Sequence, residues 1–266
     1  MREETSKVLE SPSGNRADIT VIIPACNEEE IIEKTIEHTT NTLKEIANGY
    51  ELIIVDDGSK DHTYEKAQAF TLKDPRIKVV RNSVNMGKGF GVKHAAAHVT
   101  GRVVAVIDAD MEIDPKQLQN YIRLLRKYDM CIASKWHPKS VYKAPVVRKM
   151  LSVAFNKLIR LIIGIKLVDT QTGLKAIRCE HFKKIMNTML VKRYAYDVEI
   201  LAIAQLLKLK IVELPVKIEQ GSGFSIKAVM YMLIDLLGIA YRLRIKKWYQ
   251  KNLDIERPTY KPLVRI

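Results

Sequence analysis

The sequence predicts an α/β fold built on a doubly wound, mostly parallel sheet. Short apolar runs alternate with amphipathic stretches from residue 19 to residue 214, the pattern of strands joined by crossover helices. The connections between them are short. Three polar clusters, Pro24-Ala25-Cys26-Asn27-Glu28, Asp56-Asp57 and Asp108–Glu112, each follow directly on an apolar run. That places all three at the carboxyl edge of the sheet, where folds of this class bind ligands.

Taken in order, Ile19–Pro24 is the first buried strand, and Glu28, Glu29 and Glu30 open a helix to about Ala47. Acids in a first turn suit the positive end of the helix dipole. Asn48-Gly49 closes that helix. Glu51–Val55 is the second strand, and Ser59 or Asp61 caps a helix running towards Leu72. Arg76–Val80 is the third strand, Asn85–Gly89 a flexible loop and Val92–His98 a helix. Gln117–Tyr128 reads as a helix, Met130–Ser134 as a strand and Arg148–Ile163 as an amphipathic helix. In that helix Lys149, Ser152, Asn156 and Arg160 form one polar row at helical spacing. Val168–Gly173 is a polar turn, Leu174–Arg178 a short strand, and Tyr196–Leu207 a helix. Ile211–Leu214 follows as a strand, and Gln220–Ser225 has the composition of a mobile loop.

The stretch Gly101–Pro115 organises the rest. Val103–Ile107 is apolar throughout, as expected of a strand covered on both faces, and Asp108, Asp110, Glu112 and Asp114 come next. Along an extended backbone alternate acids share a face, about 6.6 Å apart. Carboxylates gathered there call for a divalent cation, with Mg2+ or Mn2+ the hard ions that suit oxygen ligands and phosphate. A solvated acidic turn has the same composition; the two other polar clusters on the same edge favour the cation. Competing phosphate loops are absent. Gly87-Lys88-Gly89 lacks the upstream Gly and following Ser/Thr of a Walker loop, and no G-x-G-x-x-G opens the first helix.

Charge divides the chain. Residues 1–130 carry 18 Lys and Arg against 21 Asp and Glu; residues 131–266 carry 26 against 9. The whole has a net charge of +14, so the second half is expected to meet something anionic, either nucleic acid or an acidic membrane surface. Basic residues are not interleaved with stacking aromatics, which disfavours nucleic acid. Ala228–Tyr241 is apolar apart from Asp235, and a basic, aromatic segment follows (Arg242, Arg244, Lys246, Lys247, Trp248, Tyr249). With its thin stripe of Tyr231, Asp235, Gly238, Arg242 and Lys246, this reads as a helix lying in a membrane interface or one packed on the sheet. No apolar run is long enough to span a bilayer. Cys26, Cys131 and Cys179 are read as reduced intracellular thiols, and residues 1–18 as a disordered lead-in. The expected organisation is thus a lead-in at 1–18, a catalytic domain at 19–225, and an amphipathic basic helix and tail at 226–266.

With these residues in hand, the sequence resembles the family 2 inverting glycosyltransferases of the nucleotide-sugar-binding GT-A fold. Within that group it looks most like the polyprenyl-phosphate hexosyltransferases, the dolichyl-phosphate glucosyl and mannosyl enzymes. The resemblance is carried by VIIPACNEEE at 21–30, ELIIVDDGSKDHT at 51–63, NMGKGFGVKHA at 85–95, VIDADMEIDP at 106–115, IASKWHPKS at 132–140, VDTQTGLKAIR at 168–178 and RYAYDVEIL at 193–201. It implies a mixed Rossmann-like sheet flanked by helices, with amphipathic interfacial helices at the C-terminal end.

The resemblance also implies roles. Pro24, Ala25, Asn27, Glu28 and Asp56 would line the donor's base and ribose pocket, with Asp57 and Lys88 nearby. Asp108 and Asp110 would be the metal-holding pair, with Glu112 at a third ligand position. Lys135, Arg148 and Ser152 would receive the acceptor phosphate; Lys135 stands where mannosyl enzymes more often carry Arg, which loses a bidentate contact. Asp169 is expected near the reacting centre, either orienting groups there or capping its turn, and Asp197 is open in the same way. The implied reaction moves a hexose from a nucleotide sugar (UDP-glucose or GDP-mannose) to polyprenyl or dolichyl phosphate, with Mg2+ or Mn2+, at the inner, cytoplasmic face of an anionic membrane. A soluble family 2 enzyme acting on a glycan or small hydroxyl acceptor is the alternative. In that case Asp169 or Asp197 must accept a proton, whereas a phosphate acceptor is already ionised near neutral pH.

Overall fold

The computed structural model describes residues 17–219, 226–253 and 264–265. Its frame is an eight-stranded sheet. β1 (Ile19–Ala25), β2 (Tyr50–Asp56), β3 (Ile77–Arg81) and β4 (Val103–Val106) come from the first half; β5 (Met130–Ala133), β7 (Lys175–Arg178), β8 (Ile211–Leu214) and the two-residue β10 (Val264–Arg265) complete it. The order across the sheet is β10-β8-β5-β7-β4-β1-β2-β3. All pairings are parallel except those of β7, which runs antiparallel to both β4 and β5. A second, small parallel pair joins β6 (Val141–Lys143) to β9 (Lys217–Glu219). The sheet is therefore mixed, and its first half is doubly wound as expected.

Successive strands β1, β2 and β3 build outward in one direction, and the chain then returns to lay β4 on the other side of β1. The carboxyl ends of β1 and β4 flank this reversal, the point where a crevice opens in sheets of this kind. Two of the three polar clusters lie there, and the third closes β2 beside them.

Side chains alternate between two cores, as strand geometry requires. Ile19, Val21, Ile23, Val103 and Ala105 face α1 (Ile32–Ile46), α2 (Thr63–Thr71) and α4 (Leu118–Leu124). Ile22, Val104 and Val106 face the other layer: α3 (Lys88–Ala95), α6 (Cys179–Thr188) and α7 (Tyr196–Leu206), together with α5 (Val146–Ile163), α8 (Ile226–Ala240) and α9 (Trp248–Asn252). Most expected strands and helices recur, but α3 begins at Lys88 within the expected flexible loop, α4 ends at Leu124 rather than Tyr128, and α6, α9 and the small pair β6 and β9 are unforeseen. The first helix differs: Glu28–Glu30 occupy a turn before it, because Ser59, Thr63 and Asp61 capture the amides of Asn27, Glu28 and Glu29. The lead-in as far as residue 16 and the loop at 220–225 lie outside the described residues.

Candidate active site

The first wall of the site is the carboxyl edge of β1 and β2. Pro24 pairs with Val55 and Ala25 with Asp56 across the two strands. Asn27 takes a left-handed backbone (φ 55°), and its side-chain oxygen accepts the Lys60 amide at 2.9 Å. Asp56 is fully buried; one oxygen accepts the Ser59 amide, and Arg81 Nε lies 3.1 Å from the other. Asp57 has a different task. It accepts from Asn82 Nδ2 (2.7 Å), the Met86 amide (2.9 Å) and the Gly87 amide (2.7 Å), and so fastens the loop that delivers Lys88.

The second wall is the carboxyl end of β4. Asp108 is in contact with Lys88 Nζ as a close ion pair. Gly173 lies against the other side of that carboxylate, and a Cβ there would overlap it. Burial first, then the charge of Asp108, raises the pKa of Asp110. Glu28 is likewise raised, by burial and then by Asp110 and Asp108. Three carboxyl groups from two strand ends thus share one field. Burial opposes the charge of Lys88, but Asp108, Asp197 and Asp110 outweigh it and raise that pKa.

The backbone does not stay extended as far as Glu112. Met111 adopts a left-handed backbone (φ 57°), and the Glu112 amide folds back to donate to Asp110 Oδ1 at 3.0 Å. Alternation along a strand therefore ends at Asp108, and among the described residues no three His, Cys, Asp or Glu side chains converge as a complete cage. Two carboxylates fit Mg2+ or Mn2+ nonetheless. Such ions take one or two protein carboxylates and fill the rest with phosphate and water, and the mutual repulsion of Asp108, Asp110 and Glu28 marks a place that favours added positive charge.

The third wall gathers the expected acceptor residues. Asp169 is buried, and its oxygens accept from the Lys135 amide (2.9 Å), the Gln171 amide (3.0 Å) and Thr172 Oγ1 (2.6 Å), with Lys135 Nζ at 3.5 Å. Although burial opposes it, the Lys135 charge and these donors hold its carboxyl below the usual range. Its turn is further fixed by Glu213, which accepts the amides of Val168 and Asp169. Lys135 Nζ and Lys149 Nζ lie 5.9 and 5.7 Å from the centre of the Tyr142 ring. The Arg148 charge also acts on Tyr142. Arg148 and Ser152 sit half-buried on the first turns of α5.

Asp197 opens α7 but is no simple cap: Lys175 Nζ stands 2.7 Å from its Oδ1, both groups buried, and Lys175 also donates to the Thr172 carbonyl at 2.7 Å. Beside it Tyr196 is fully buried against Gly89 and close enough to Asp197 and Asp108 for their charges to add to burial in raising its phenol. Gly173, Lys175, Tyr196 and Glu213 are site residues the sequence reasoning missed. The available signal was a Lys inside the apolar LKAIR and a Glu inside the apolar IVEL, since a charge in a buried strand needs a partner.

The middle of each polar stripe turns inward, at Asn156 on α5 and at Asp235 to Arg242 on α8 and the turn after it, while Tyr231 and Lys246 at the ends of the second stripe are exposed. Asn156 is buried and accepts from both the Thr170 amide and its hydroxyl. Arg242 reaches Glu199 and Tyr249, while Asp235 borders a cavity of about 490 Å³ with Arg193 and Gly238. Large apolar side chains face outward, Val146 (71% exposed), Val147, Met150, Leu151 and Leu161 on α5 and Met230, Ile234, Leu237 (61%), Tyr241 and Ile245 along α8 and the π-turn that follows it, with the exposed cations Lys157, Arg244 and Lys246 beside them. The two helices lie side by side. Among the described residues no helix is long and apolar enough to cross a membrane.

A family model described as glycosyl transferase family 2 matches residues 20–186. The dolichyl-phosphate beta-glucosyltransferase ALG5A of Trichomonas vaginalis is 33% identical over 86% of this chain and 75% of its own length. The human dolichyl-phosphate beta-glucosyltransferase is 28% identical over 93% of this chain and 81% of its own. Glycosyltransferase AglD of Haloferax volcanii is 29% identical over 88% of this chain but only 37% of its own length. Among solved structures, glucosyl-3-phosphoglycerate synthase from Mycobacterium tuberculosis, in complex with Mn2+, UDP and its glucosyl product, superposes with a TM-score of 0.64 at 20% identity, covering 85% of this chain and 79% of that one. The fold is that of the GT-A glycosyltransferases.

Proposed function

The chain belongs to glycosyl transferase family 2, and on that premise we propose that it moves a hexose, glucose before mannose, from a nucleotide sugar to a polyprenyl phosphate, with inversion, at a membrane surface. One observation carries the choice of acceptor. A hydroxyl acceptor needs a free carboxylate to take its proton. Asp169 already accepts from three donors and faces Lys135, and Asp197 is neutralised by Lys175. A phosphate monoester has a second pKa of about 6 and arrives ionised, so neither acid has to act as a base. Lys135, Lys149 and Arg148 around Tyr142 supply the cationic ground that such an acceptor requires.

On the donor side, Asn27, Glu28 and Asp56 border the base and ribose, and Lys88 faces the diphosphate. Asp108 and Asp110 would hold Mg2+ or Mn2+, which when bound supplies neutralisation of the departing nucleoside diphosphate. Asp169 acts as a positioning residue: through Lys135 it fixes where the acceptor phosphate sits. The outward apolar faces of α5 and α8 suit a lipid interface, and each large side chain buried there adds about 1.5–3 kcal/mol. This supports a peripheral enzyme at the cytoplasmic face, its basic half towards anionic lipid.

The test is transfer from a panel of UDP- and GDP-sugars to polyprenyl phosphate in liposomes, followed by organic extraction. Radiolabel in the organic phase is the expected result. Equal transfer to a free glycan hydroxyl, with none to the lipid phosphate, would refute the reading.

A further inference from the structure

Lys88 is held from several directions at once. It is the first residue of α3, and the preceding Gly87 (φ 97°) is locked by Asp57 on its amide and by the Lys192 carbonyl, which fills the space a Cβ would take. The following Gly89 rests on Tyr196, whose ring centre lies 6.0 Å from Lys88 Nζ. Asp108 is confined too, because Gly173 touches the far side of its carboxylate. The backbone on both sides of Lys88 is packed and Gly173 closes one side of Asp108, so the pair can part only by movement of the Lys88 side chain. The neighbouring cations are engaged elsewhere: Lys192 stands over Phe90 and Arg193 over Tyr231.

From this geometry we infer that the Lys88 ammonium is a built-in counter-ion of Asp108, occupying the carboxylate oxygen that a divalent cation needs, and that it lets go only when a donor diphosphate offers it another anion. The inference rests on the donor and metal reading of this site. It makes Lys88 a gate on the order of binding. Divalent cation alone competes with a tethered ammonium and binds poorly; cation and nucleoside diphosphate together satisfy Asp108 and Lys88 at the same time. The chain would thereby avoid sequestering free metal at an empty donor site.

The experiment is a Mn2+ titration of the full chain without nucleotide, followed by the electron paramagnetic resonance signal of free Mn2+. Lys88→Gln should bind Mn2+ alone about tenfold tighter than the parent, the size expected for releasing a partly buried charge pair. Lys192→Gln, a nearby charge loss that does not touch Asp108, should stay within about twofold, since exposed charges are screened. Asp108→Asn should lose binding in either background, and Lys88→Gln should bind UDP with Mn2+ more weakly than the parent. Unchanged or weaker Mn2+ binding in Lys88→Gln overturns the inference, as does an equal gain in Lys192→Gln. Absence of Mn2+ binding in both the parent and Lys88→Gln also overturns it. No sugar or acceptor enters these titrations, so their failure is separate from failure of the transfer assay.

Discussion

At the carboxyl edge of β1, β2 and β4 the polar groups are drawn in and engaged, while on α5 and α8 large apolar side chains are left facing outward. Asp56, Asp57 and Asp108 each have partners within the fold; Val146, Met150, Ile234 and Leu237 are more than half exposed. The first region spends folding energy on charges crowded where a ligand must neutralise them. The second leaves unburied what ordinary folding would bury, and concentrated apolar surface of that kind marks an interaction site. One end of the site therefore demands a polar, charged ligand and the other a greasy surface. A nucleotide sugar and a polyprenyl phosphate make that combination of demands.

The sharpest way to break the contrast is at the metal-facing carboxylates. Asp110→Ala should lower transfer by about a thousandfold or more, with a melting temperature close to that of the parent, because the carboxylate is repelled by Asp108 and among the described residues holds only one exposed hydrogen bond. Retained turnover would remove the charged end from the argument. Next in size is the apolar end. Met150→Asp with Leu237→Asp should abolish flotation with anionic liposomes, yet leave transfer to a short, water-soluble prenyl phosphate within about threefold. Loss of both activities together would show that the face is needed for the fold and not for lipid.

Asp197→Asn probes the ground between. Leaving Lys175 buried and unpaired should cost about 3–5 kcal/mol of stability, read from urea unfolding, while the pH profile of transfer by the remaining folded enzyme keeps its shape. A missing acid limb would mean that Asp197 is a proton acceptor after all. Lys135→Gln should raise the acceptor KM about tenfold with a smaller effect on kcat, as expected for lost phosphate binding. The smallest effect is on pH-dependent stability. Since Asp169 is held below its unfolded value, the stability it brings is complete above the unfolded pKa of about 3.9. It is lost as pH falls through the folded value. Asp169→Asn should therefore flatten the acid limb of melting temperature below about pH 4, leaving the neutral range unchanged, and an unchanged acid limb would show that the carboxylate is not ion-paired.

The strand–helix alternation, the apolar core runs and the three polar clusters were readable from residue order, because burial and backbone period act over a few neighbours. So was the closeness of Asp108 to Asp110, whose carboxyl feels the charge of its neighbour. What residue order could not give is which way a stripe points. In Lys149–Ser152–Asn156–Arg160 and in Tyr231–Asp235–Gly238–Arg242–Lys246 the helical period is plain, yet it takes Thr170 to draw Asn156 inward and Glu199 to draw Arg242.

Local rules likewise read Asp108, Asp110 and Glu112 as alternating along one extended strand, and the left-handed Met111 breaks that strand before Glu112. Asp169 and Asp197 carried the same ambiguity in sequence; partners brought from other strands and turns, Lys135 and Lys175, decided that both are neutralised. The sequence by itself determined which residue types gather at the sheet edge, since that follows from the order of strands. Tertiary structure alone decided which of those charges remain available to a ligand, because a charge's partner is set by proximity in space and not along the chain.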